Sequence, residues 1–185
     1  MMQNVAQCLR IPTVGALVLT WIGCANGGNE AAAMLPEVIH GLVLSESVTG
    51  QAATEALGGI YEGEVTAGDT YIGRYGPEHL RATLYVSRFA TPEDAQAELA
   101  AMADRMSSGT GGYGHHTRAT VGEVVLHSVF GHGQVHYFYV SGLDVTWLAS
   151  PPRLARAAIA ELLHVEVDAV RDPLKAPEPT EKVEL

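Results

Sequence analysis

The chain has 185 residues, 47% of them hydrophobic and 17% charged, with a formal net charge of −10. That balance excludes a disordered chain, and the length allows one ordinary domain but not two. So acidic a chain also argues against nucleic acid and anionic headgroups as partners, because binding them needs clustered Lys and Arg.

Met1 to Arg10 is a polar segment ending in the only charge before Cys24. Ile11 to Gly23 then runs 13 residues without a charge. As a helix it would span about 20 Å, short of the ~30 Å hydrocarbon core of a bilayer. Residues 1–23 therefore read as a signal peptide. Trp21-Ile22-Gly23-Cys24 resembles the lipobox of bacterial lipoproteins, in which a small residue precedes an obligatory cysteine; Trp21 stands where the family usually has leucine. The resemblance covers the first 24 residues. It implies cleavage before Cys24, a diacylglyceryl thioether and an N-acyl group on that residue, and a domain held at a membrane of the cell envelope by those chains. Ala25 looks like the outer-membrane address of Gram-negative lipoproteins, which implies the periplasmic face. The alternatives are an uncleaved anchor or an ordinary secretory signal cut nearby. Lipidation of Cys24 would leave the mature chain no thiol for a disulfide, since Cys8 is the only other cysteine. The domain must then stand on its core.

Residues 24–34 read as a flexible tether, Gly-rich and small. Leu35 to Arg171 forms one domain, and residues 172–185, with three prolines, an acidic disordered tail. Gln51 to Leu57 suits a short helix. Ile60 to Val65 and Thr70 to Tyr75 flank a turn at Thr66 to Asp69, and Ala82 to Phe89 alternates as a strand. Thr91 caps a helix over Pro92 to Met106, with Ala95, Leu99, Met102 and Met106 as its apolar stripe. The Gly-rich stretch Ser107 to Gly114 ends it as a loop. Val121 to Phe130 and Val135 to Leu148 are strands around Gly131-His132-Gly133-Gln134, with Ser141-Gly142 splitting the second run. Ser150 and Pro151 start a second helix with Leu154, Ala158, Leu162 and Val165 on one stripe.

A shift of 59 residues superposes Val86 on Val145 and Pro92 on Pro151. This predicts an α+β fold in which an antiparallel sheet carries two helices on one face, as a doubled β-β-β-α unit. The alternative is a ferredoxin-like β-α-β-β-α-β order, with Val165 to Val170 as a last strand.

Five histidines, His115, His116, His127, His132 and His136, fall within 22 residues. A turn at His132-Gly133 sets His127 opposite Phe138 and His136 opposite Val129, on one face as diagonal neighbours. With His115 or His116 from the loop, they make a candidate site for Zn or Cu. Tyr137 and Tyr139 are candidate binding residues on a rim face. The sequence has no Gly-x-Ser-x-Gly elbow and no His-Glu-x-x-His helix, and Glu62, Glu64 and Asp69 fit a solvated edge. The expectation is a membrane-tethered, non-enzymatic binding or accessory domain with an envelope protein as a possible partner. A histidine-based metal-binding lipoprotein is the second reading.

Overall fold

A computed structural model describes residues 34–61 and 67–175. The signal segment, nearly all of the tether, Glu62, Glu64 and most of the tail lie outside them. In chain order the elements are β1 (Val38–Ile39), β2 (Leu42–Thr49), α1 (Gln51–Tyr61), β3 (Asp69–Tyr75), β4 (Ala82–Arg88), α2 (Pro92–Ser107), β5 (Tyr113–Val121), β6 (Val124–Gly131), β7 (Gln134–Ser141), β8 (Asp144–Ser150) and α3 (Pro152–Leu163). The strands join in one antiparallel sheet of order β1-β2-β3-β4-β8-β7-β6-β5. The class is α+β.

Local chemistry sets the element ends. Thr91 stays extended and its side chain accepts from the Asp94 N–H at 3.1 Å, so α2 begins at Pro92. Its buried residues are Ala95, Leu99, Met102, Ala103 and Met106. Between β6 and β7, His132 (φ 52°) and Gly133 (φ 76°) both take left-handed backbone, as a two-residue hairpin turn requires. That turn fixes the register of the strands it joins: His127 faces Phe138 and Val129 faces His136, as the sequence predicts.

The arrangement of the helices departs from expectation. α3 covers Leu84, Val86, Tyr137 and Leu148, whereas α2, with Leu57 of α1, covers Val129, Phe138, Val145 and Trp147. Neighbouring β8 residues point to opposite faces, so α2 and α3 lie on opposite sides of the sheet and not on one. Val86 and Val145, equivalent in the supposed repeat, belong to different cores. A rotation exchanging the antiparallel neighbours β4 and β8 must run perpendicular to the sheet, which keeps both helices on one face. The doubled unit is therefore not the arrangement found. Nor is the ferredoxin-like order: Val167–Ala169 is a 3-10 turn, and no strand follows α3 among the described residues.

Smaller differences have local causes. Ile60 and Tyr61 finish α1 instead of opening a strand. Ser150 ends β8 fully buried, and Pro151 takes the cap position of α3. The helix buries Ala155, Ala158, Ile159 and Ala160, so of the expected stripe only Ala158 is buried, while Leu154, Leu162 and Val165 are half-buried.

Candidate functional site

The site begins with an irregularity in β5, an edge strand that sequence reasoning gave in part to a loop. Gly114 pairs with Phe130 and Thr117 with Ser128, so His115 and His116 together face the single residue Val129. His115 adopts φ 56° at this bulge. A bulge re-aims side chains and spoils an edge for further pairing. Here His115 is exposed to solvent while His116 turns inward and is half-buried.

His116 Nε2 and His127 Nδ1 lie 3.1 Å apart. The ring centres are 5.3 Å apart with planes within 24°, so the two nitrogens sit close to the line between the ring centres. One nitrogen carries the proton and the other accepts it. Behind them Phe138 stacks on His127 at 5.1 Å between ring centres.

Burial, and then the charge around the pair, keeps it neutral. Burial, then His116, then Arg118, brings the pKa of His127 down to about 4. Burial, then Arg118, also lowers that of His116. Arg118 is the direct cross-strand partner of His127, on the same face, where two like charges would repel. At neutral pH both imidazoles are therefore uncharged.

α2 passes over this corner of the sheet and leaves a cleft of about 370 Å³. Its walls include Ala100 and Asp104 of α2, Arg118 of β5, Glu123 in the β5–β6 turn, and His127 and Val140. The volume falls within the range of small-molecule sites, about 300–1,000 Å³. Among the described residues no ion pair joins Arg118 to Asp104 or Glu123, although the three share the cleft.

His136 has a different role. The Trp147 indole N–H donates to its Nδ1 at 3.1 Å, and its Nε2–H donates to the Gly131 carbonyl at 3.1 Å. Burial, assisted by His132 and opposed by the Gly131 hydrogen bond, lowers its pKa to about 4. His136 shares a face with His127, as expected, but both its nitrogens are engaged in a buried cross-link of β6, β7 and β8. The four candidate metal-binding histidines do not converge: His116 meets His127, His136 serves the core, and His115 faces water. Among the described residues no group of three or more His, Cys, Asp or Glu is placed to hold a metal ion.

Tyr137 and Tyr139 are not rim residues. They are 1% and 7% exposed, in the core that α3 covers, and burial raises both phenol pKa values. Both faces of the sheet carry helices, so tyrosines on either one have core to pack against. Conversely, Arg118, Asp104 and Glu123 were missed. Taking Gly122-Glu123 as a two-residue turn would have set Arg118 opposite His127 from sequence alone.

Comparison with protein-family models, with curated proteins and with solved structures finds no match for this chain.

Proposed function

We propose that this chain is a lipid-tethered, extracytoplasmic binding domain that receives its ligand in the cleft between α2 and β5–β7, without chemical conversion. The observation that carries the reading is the cleft itself: about 370 Å³ in volume, with a neutral, pre-oriented imidazole and a guanidinium that makes no ion pair among the described residues in its walls. Pre-set polar groups in a cavity of that size are what selective binding of a small solute requires. His127 is oriented by His116 and Phe138, so little ordering is left for the moment of binding.

The tether supplies location. Acyl chains on Cys24 would bury about 0.8 kcal/mol per methylene, enough with two or three chains for stable anchoring. The ten Cα–Cα steps from Cys24 to Met34 reach at most ~35 Å, so the start of the domain stays within that distance of the bilayer. The acidic chain, repelled by anionic headgroups, stands off the surface it is tied to.

Two substitutions test the parts separately. Cys24→Ser releases the chain from membranes if the thiol is the anchor. Ala100→Trp fills the cleft from an exposed position on α2. With the full chain isotope-labelled at histidine, a small-molecule extract of the cell envelope shifts the His127 ring resonance in the wild type and not in Ala100→Trp. An extract that leaves His127 unmoved in the wild type contradicts the cleft reading.

A further inference from the structure

We infer that the cleft takes a small zwitterion, with a carboxylate held by Arg118 and His127 and an ammonium held by Asp104 and Glu123, as an amino acid would present them. This rests on the cleft being the binding site and goes on to name the chemistry of its ligand.

Arg118 and His127 are direct cross-strand neighbours on one face, and both line the cleft. Arg118 is exposed and makes no ion pair among the described residues, so its planar fork of donors is available to a carboxylate. His127 adds a second donor. With Nδ1 engaged by His116, its outer nitrogen, Nε2, has no protein hydrogen bond among the described residues, and it is not one of the buried polar atoms left unpaired. When His116 Nε2 donates to His127 Nδ1, the proton of neutral His127 stands on Nε2, on a ring that lines the cleft. In that direction of the His116–His127 hydrogen bond, His127 has the tautomer that a carboxylate needs, and a bound carboxylate selects it.

The opposite sign comes from other elements. Asp104 stands on α2 and Glu123 in the β5–β6 turn, each exposed and each lining the same cavity. A simple anion on Arg118 would meet two carboxylates, and a simple cation would meet Arg118. A molecule carrying both charges satisfies both walls, and charge-assisted hydrogen bonds to each end are the strong kind. The volume suits a ligand the size of one amino acid better than a macromolecule.

The test uses the full chain with histidine-labelled rings, the His127 signal being assigned by its loss in His127→Gln. The probes are L-leucine, 3-methylbutylamine and 4-methylpentanoate, which share the 3-methylbutyl chain and carry both charged groups, the ammonium alone and the carboxylate alone. Leucine is expected to shift His127 saturably, with the amine and the acid each binding about tenfold more weakly or worse. Arg118→Gln loses leucine binding by about tenfold, and so does Asp104→Asn combined with Glu123→Gln. The inference is overturned if the acid binds as tightly as leucine, if Arg118→Gln leaves leucine unaffected, or if no probe moves His127. The cleft reading fails separately, when envelope extract also leaves the wild-type His127 signal in place.

Discussion

Trp147 donates its indole N–H to Nδ1 of His136 at 3.1 Å, across the pairing of β7 with β8 and inside the sheet. The ring passes the hydrogen bond on, its Nε2–H donating to Gly131. A side chain that accepts at one end and donates at the other is what this position needs. His136→Leu removes both hydrogen bonds of the relay, the indole's to Nδ1 and the one that Nε2–H gives to the Gly131 carbonyl, at a cost of about 1–3 kcal/mol. His136→Gln, with one acceptor and one donor, recovers part of that. Urea unfolding of the two variants reads the difference, and equal stabilities would contradict the relay.

Buried neutral histidines make stability depend on acid. An unfolded histidine titrates near 6.5, whereas His127 and His136 in the fold are held down to about 4. Between those values the unfolded chain binds more protons than the folded one, so stability is full above about 6.5 and falls as pH drops toward 4. The part due to His136 is on the order of 3 kcal/mol. His136→Gln flattens the decline, and unfolding free energies measured across this pH range check it.

His116 ranks ahead of Arg118 among the charges that lower the pKa of His127, and burial ranks ahead of both. In a ring-resonance titration His116→Gln therefore raises the pKa of His127 more than Arg118→Gln does. Neither brings it back to 6.5, because burial remains. A larger effect from Arg118→Gln would contradict the contact geometry.

The two glycines flanking the bulge region should behave oppositely. A Cβ on Gly131 would stand 2.5 Å from Cδ1 of Tyr113, its cross-strand partner, whereas one on Gly114 meets nothing within 4 Å. Gly131→Ala forces the Tyr113 ring away and costs about 1–3 kcal/mol. Gly114→Ala stays within about 0.5 kcal/mol of the wild type. Amide exchange in β5, faster in the first variant and unchanged in the second, locates the damage.

Legibility in the sequence followed how local the determining physics was. The β6–β7 register could be read because Gly131 to Gln134 specifies a two-residue turn, which then fixes every pairing behind it. The α2 boundary could be read because Thr91, Pro92 and Asp94 are neighbours in sequence. The missed features depend on distant residues. β5 has the unpatterned sequence YGHHTRATV, and its strand form comes from pairing with β6. Both faces of the sheet carry apolar residues, so no periodic mark tells which face each helix covers. The histidine site was half visible: His116 and His127 were both named, but the face was placed for His127 with His136, and the bulge that brings His116 to His127 is set by backbone pairing. His136 looked like a ligand because its spacing said nothing of Trp147.

The cleft can serve an envelope function only if Cys24 holds the domain outside the cytoplasm. Intact-mass spectrometry of the chain recovered from its native membranes measures this directly. The expected product begins at Cys24 and carries the mass of a diacylglyceryl group with an N-linked acyl chain. An unmodified polypeptide beginning at Met1, recovered from the soluble fraction, would contradict the tether and the function built on it.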